Sequence, residues 1–139
     1  MAPLPEPDDL TSLVIRVDFS DDAAWDMLQA DLDGLDDYSH ATYVNDPAFA
    51  DVTIEALVER DASAADDDKV LYLFLADATT MTDDEHPLLA VDLEEEPGRT
   101  FRVPTSWFID VSANLSLANM DFEEFADAAE ADGTFRGFG

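Results

Sequence analysis

Cysteine is absent from this chain of 139 residues, histidine occurs only at positions 40 and 86, and the single lysine, Lys69, stands beside five arginines. Without thiols there is no disulfide framework and no thiolate chemistry, and His40 and His86 are too few to ligate a structural zinc. Glycine is scarce, at five residues, so no phosphate-cradling loop of either common kind can be built, and no serine stands in a Gly-x-Ser-x-Gly elbow. Long apolar runs are missing as well. The longest, Val70 to Ala76, falls far short of a bilayer span. The start, Met-Ala-Pro-Leu-Pro-Glu-Pro, has neither a basic n-region nor an apolar h-region, so a cytoplasmic location is expected.

What the chain has in excess is acid. There are 34 acidic residues against six basic ones, for a net charge of −28. A field of this sign repels nucleic acid phosphates and anionic lipid headgroups, so neither nucleic acid nor a membrane surface is an expected partner. It attracts basic proteins, polyamines and divalent cations, within a Debye length of roughly 8–10 Å at moderate ionic strength. Two compositional causes compete with any functional one. Aspartate outnumbers glutamate and alanine is abundant, as GC-rich coding or adaptation to a salty cytoplasm would produce, and a charged surface serves solubility on its own.

High net charge usually signals disorder, but 47% of the residues are apolar and 10% are aromatic, enough for one buried core. The expected organisation is a flexible, Pro-rich acidic tail over residues 1–10, then a single globular α/β domain over residues 11–139. Leu13 to Val17 reads as a strand, with Leu13, Ile15 and Val17 on one face. Ser20 is the expected N-cap of a helix whose stripe is Trp25, Leu28 and Leu32, ending before Gly34. A polar loop over 36–40 leads to a short strand, Ala41 to Val44, stopped by Asn45-Asp46-Pro47. Thr53 caps a second helix with Ile54, Leu57 and Val58 inward.

The run Val70 to Ala76 suits a central strand covered on both faces. Residues 77–86 read as a polar connection, Leu88 to Val91 as a fourth strand, and Pro97-Gly98 as the turn of a hairpin into Arg99 to Val103. From Pro104 the pattern is helical through Trp107, Phe108, Val111 and Leu115. A last helix then opens on Asp121 with Glu124 as capping-box partner and closes at Gly133. The order implies a mixed sheet of about five strands, parallel at first and ending in a hairpin, with helices packed on it.

Four segments carry a resemblance: Arg16-Val-Asp-Phe-Ser-Asp-Asp-Ala-Ala-Trp25, Asp46-Pro-Ala-Phe-Ala50, Val91-Asp-Leu-Glu-Glu-Glu-Pro-Gly-Arg-Thr-Phe-Arg-Val103 and Asn114-Leu-Ser-Leu-Ala-Asn-Met-Asp-Phe-Glu-Glu-Phe-Ala-Asp127. Over roughly residues 11–138 the chain resembles a family of small acidic bacterial proteins classed as a domain of unknown function and common in GC-rich bacteria. The resemblance implies a single-domain protein and brings no activity, substrate or cofactor with it.

Among the residues themselves, Asp18, Asp77 and Asp92 each follow an expected strand. Carboxyl ends of parallel strands converge on one sheet edge, where three carboxylates can hold Mg²⁺ and open metal-assisted phosphate chemistry. Against this, a chain with 24 aspartates collects them at strand ends by turn preference, and an antiparallel fourth strand would put Asp92 at the wrong edge. Asp31-Leu-Asp-Gly34 resembles a calcium loop, but Gln29 and His40 fall where the end ligands belong, which rejects an EF-hand. Asp83-Asp-Glu-His86 reads as a solvated charge run, Trp25 and Trp107 as core, and Arg99 and Arg102 as charge partners of Glu94 to Glu96. Asn114, Ser116, Asn119 and Asp121 serve helix ends.

No residue is assigned a catalytic role and no bound cofactor is expected. The first expectation is a non-catalytic interaction module, an inhibitor, immunity-type or accessory protein docking on a basic protein partner. The alternative is a small Mg²⁺-dependent enzyme acting on a phosphorylated substrate through Asp18 and Asp77. A convergent carboxylate pocket favours the enzyme, and a broad acidic face with apolar islands favours the interaction module.

Overall fold

A computed structural model of the protein describes residues 4–8, 10–35, 40–117 and 119–137. The strands are β1 (Ser12–Arg16), β2 (Ala41–Val44), β3 (Tyr72–Ala76), β4 (Leu88–Asp92) and β5 (Thr100–Val103). The helices are α1 (Asp22–Asp33), α2 (Ile54–Ala62), α3 (Ala78–Thr82), α4 (Thr105–Ser116) and α5 (Phe122–Ala128). One mixed sheet runs in the order β2-β1-β3-β4-β5. β1 is parallel to both β2 and β3, whereas β4 is antiparallel to β3 and β5. The expected α/β class, with a parallel start and a closing hairpin, is the observed one.

The alternation of side chains explains the layers. Val14, Phe74, Ala76, Leu88, Ala90, Phe101 and Val103 point to one face, where they meet Trp25 and Leu28 of α1, Phe108 and Val111 of α4, and Phe122 and Phe125 of α5. Leu13, Ile15, Leu73, Leu75 and Val91 point to the other and meet Leu57 of α2 with Phe49. The right-handed crossovers β1-α1-β2 and β2-α2-β3 run in opposite directions along the sheet and so deposit α1 and α2 on opposite faces. Leu4, from the expected tail, is buried in the second cluster at 2% exposure, and the Asp8 N–H donates to Thr42 Oγ1. The described part of that lead is thus attached to the sheet.

Several boundaries differ from the sequence expectation for local reasons. The N-cap of α1 is Asp21, whose carboxylate accepts from the Ala24 N–H at 3.1 Å, one residue beyond the expected Ser20. The connection 77–86 contains α3, closed into a capping box by Asp77 and Thr80. It is too short to show an apolar period. β3 begins at Tyr72, because Leu71 takes a φ of +76° and leaves the run. α5 ends at Ala128, well before Gly133. Gly133 has a φ of +85° in a turn that returns Thr134 and Phe135 to the outer edge of β5. There the Gly133 carbonyl accepts from the Arg102 N–H, and the Phe135 N–H donates back to the Arg102 carbonyl, both at 2.8 Å. The expected polar loop at 36–40 lies, apart from His40, outside the described residues.

Candidate functional site

At the carboxyl ends of β1 and β3 the chain connections diverge, to β2 on one side and to β4 on the other, and such a point is where open α/β sheets hold ligands. β1 brings Arg16 and Asp18 to this edge, and β3 brings Asp77. Arg16 is 2% exposed. Its guanidinium donates to the Asp18 carbonyl at 2.9 Å and to Asp22 Oδ1 at 2.7 Å, and it lies 4.4 Å from the Phe19 ring centroid. A buried cation needs such neutralisation and cover, so this residue serves the fold. The Asp18 carboxylate accepts from the Ser20 N–H at 3.0 Å and shapes the entry to α1.

Asp77 is more heavily engaged. Its Oδ1 accepts from Thr80 N–H at 3.1 Å, Thr80 Oγ1 at 3.1 Å and Arg102 Nη1 at 2.8 Å, while Oδ2 accepts from Arg102 Nη2 at 2.9 Å. Burial works to raise its pKa, but the bidentate Arg102 fork and the Thr80 donors outweigh that and hold it below the ordinary carboxylate value. Arg102 is therefore the partner of Asp77 rather than of Glu94 to Glu96. Arg99 does pair with Glu96, and also with Asp127.

Asp92 stands apart from both. Because β4 is antiparallel to β3, Asp92 pairs with Tyr72 at the opposite end of the sheet. It is 3% exposed, and its two oxygens accept from the Glu94 N–H at 2.9 Å and the Glu96 N–H at 3.0 Å. It organises the β4–β5 turn. The three aspartates considered for Mg²⁺ are therefore not brought together, and no group of three or more His, Asp or Glu side chains suited to a metal occurs among the described residues. The run 83–86 does not converge either. Asp83 accepts from the Glu85 N–H, Glu85 pairs with Arg136, and the His86 ring meets the Thr80 carbonyl on one side and Asp31 on the other.

The end of the sheet that holds Asp92 has a feature the sequence did not announce. A cleft of about 120 Å³ opens between the start of β3, the β4–β5 turn and the α4–α5 junction, lined by Leu71, Tyr72, Asp92, Glu95, Asp121 and Phe122 among others. A shallower groove of about 320 Å³ adjoins it through Leu71, Tyr72 and Leu115, and is completed by Pro7, Leu10 and Val70. Leu10 is 64% exposed and Leu71 42%, and both have positive φ, +62° and +76°. Bulky side chains rarely accept that backbone. Leu117, 53% exposed, follows the end of α4.

The electrostatics of this end are those of crowded like charges. Glu95 is pushed up from its ordinary pKa first by Asp121, then by partial desolvation and by Asp92, Glu123 and Glu94. Behind the cleft wall the Tyr72 hydroxyl is 2.7 Å from Ser12 Oγ, which is 2.7 Å from Ser112 Oγ, and Ser112 donates to the His40 carbonyl at 3.1 Å. Burial raises the Tyr72 pKa against the opposing effect of the Ser12 bond, so the phenol remains protonated at neutral pH. Ser12 and Ser112 carry no sequence signal, because their juxtaposition spans 100 residues. Trp25 is buried beneath Arg16, and Trp107 packs edge-on against Phe135 with ring centroids 5.7 Å apart.

A search of curated proteins finds no match to the chain. Residues 11–138 match the model of a family described as a domain of unknown function, DUF6924, and the chain belongs to that family.

Proposed function

We propose that the protein is a non-catalytic interaction module whose acidic surface docks on a basic protein partner. The observation that carries this reading is the fate of the positive charge. Arg16, Arg99, Arg102 and Arg136 are each paired with carboxylates of the same chain, Arg136 with Glu85, Glu130 and Asp132 together. Arg60 lies over the Phe49 ring at 5.0 Å. The arginines are drawn into holding the fold, and the outward field is left to the excess acids. Exposed Leu10, Leu71 and Leu117 supply apolar islands within it. The engaged state of Asp18, Asp77 and Asp92 supports the same reading, because each carboxylate has a structural task.

The experiment is affinity capture with the immobilised chain from its native lysate, at low and at molar salt. The expected result is a basic protein held in fixed stoichiometry at low salt, released at high salt, and rebinding as a purified species with a fast, salt-dependent on-rate. Retention of many unrelated basic proteins in proportion to their charge alone would overturn the reading. Turnover of a phosphorylated substrate that disappears in Asp18→Asn would replace it with the metal-dependent enzyme.

A further inference from the structure

The groove beside the acidic cleft is the place where the apolar and acidic features of this surface coincide. Leu10, Leu71 and Leu115 line it together with Val70 and Tyr72. Leu71 and Tyr72 continue into the cleft walled by Asp92, Glu94, Glu95 and Asp121. An apolar trough thus opens at one end onto a ring of carboxylates. Arg99, the base nearest to that ring in sequence, is engaged by Glu96 and Asp127. The crowding that lifts the Glu95 pKa is the same excess of negative charge seen from one carboxylate. A cation delivered from outside relieves it.

The geometry points to a docking site for a segment of a partner protein in which arginine or lysine alternates with bulky apolar residues, the cationic head seated in the cleft and the apolar side chains lying along Leu10, Leu71 and Leu115. This deepens the proposed function and rests on its basic partner. Charge complementarity selects the cationic head. The trough selects against a bare polycation, because exposed leucines gain nothing from a ligand without apolar surface. The left-handed backbone at Leu71 holds its side chain outward while its carbonyl still accepts from the Leu93 N–H at 2.9 Å. The presented side chain is therefore fixed to the sheet, which lowers the ordering cost of binding.

Amide chemical-shift titration of the isotope-labelled full chain tests the site, with three probes: a capped peptide alternating leucine and arginine, a capped oligo-arginine of equal charge, and spermine. The expected result is saturable perturbation by the alternating peptide centred on residues 10, 71–72, 94–95, 115 and 121, with oligo-arginine and spermine giving weaker, dispersed shifts. Leu71→Gly should weaken the peptide by about tenfold. The fold should tolerate it, because glycine accepts the positive φ without strain. Glu95→Gln should reduce the salt dependence of binding while leaving the fold unchanged. Equal, dispersed binding of all three probes, or saturable binding on the face of Ile54 and Val58, overturns the groove and leaves the basic-partner reading standing. Preferential binding of spermine at the cleft reassigns the site to small polycations. No binding of any cation at low salt overturns both the groove and the proposed function.

Discussion

Replacing Asp77 tests how far local structure, rather than net charge, governs this fold. In a chain of net charge −28, deleting an average carboxylate should be neutral or stabilising, because it relieves self-repulsion. Asp77 should behave in the opposite way. Its Oδ1 caps α3 through the Thr80 N–H, and the Ala variant loses about 0.5–2 kcal/mol for that cap alone. The bidentate bond to Arg102 joins the end of β3 to the last strand, with side chains 26% and 23% exposed. A charged hydrogen bond of this kind is worth about 1.5–3 kcal/mol, towards the lower end here because water reaches both partners. Asp77→Ala should therefore cost roughly 2–4 kcal/mol, or about 7–15 °C in Tm for a domain of this size. Asp77→Asn retains the capping oxygen and should cost about half as much. Thermal unfolding followed by circular dichroism, with Asp67→Asn as an exposed control and a double-mutant cycle against Arg102→Met, reads these values. If Asp77→Asn melts at or above the wild-type temperature, or if the cycle gives no coupling, the Arg102 pair does not stabilise the fold and the reasoning fails.

Tm should rise clearly as monovalent salt goes from low to molar concentration, since screening relieves the compact state more than the expanded one, and a flat response would refute repulsion as the limiting factor. Asp121→Ala should cost about 0.5–2 kcal/mol by opening the capping box it forms with Glu124, against a few tenths for Asp127→Ala, whose partner Arg99 is part-exposed; equal effects would misplace the start of α5. Stability should rise as pH falls from neutral towards about 5, because Glu95, raised in the folded state, binds its proton there before the unfolded chain does. Below about pH 4 it should fall again as Asp77, lowered in the folded state, is protonated first in the unfolded chain; a monotonic denaturation curve would contradict this assignment. In calorimetry Mg²⁺ should give only weak, salt-erased heat that Asp18→Asn leaves unchanged, whereas one tight site lost in that variant would restore the enzyme reading.

Much of the fold was legible because its signals are local. Val70 to Ala76 is apolar enough to demand cover on both faces, Trp25, Leu28 and Leu32 recur at helical spacing, and Pro97-Gly98 marks the hairpin. Beyond the helix ends, which shift for local reasons, Leu71 and Arg102 depart because a contact outside the segment overrides its pattern. Leu71 belongs by composition to the strand that follows it, yet it turns outward where the chain arrives from Val70, itself tied by its N–H to the buried carboxylate of Asp61 at 2.8 Å. Arg102 lies beside three glutamates in sequence, but it sits in β5 with its fork directed at the end of β3, 25 residues earlier. Pairings of that kind depend on strand order, and strand order is not written in any single segment.

The same dependence decided the candidate site. Three aspartates after three strands form one site only if all three strands run the same way. The β3–β4 connection reverses that direction, so Asp92 moved to the opposite end of the sheet, where its buried carboxylate organises a turn. The reversal also creates the acidic cleft at that end of the sheet. It brings the acidic β4–β5 turn alongside the first residues of β3 and the α4–α5 junction, joining Glu94 and Glu95 to Leu71, Leu115 and Asp121. Asp92→Asn separates the two roles. Losing one carboxylate oxygen as an acceptor from two backbone donors should lower stability by about 1–2 kcal/mol, since a part-buried N–H would lose its charged acceptor. If Asp92 instead acted chiefly through its charge on the cleft, the variant would keep its stability and lose binding of the alternating leucine-arginine peptide, and the turn-organising role would be refuted.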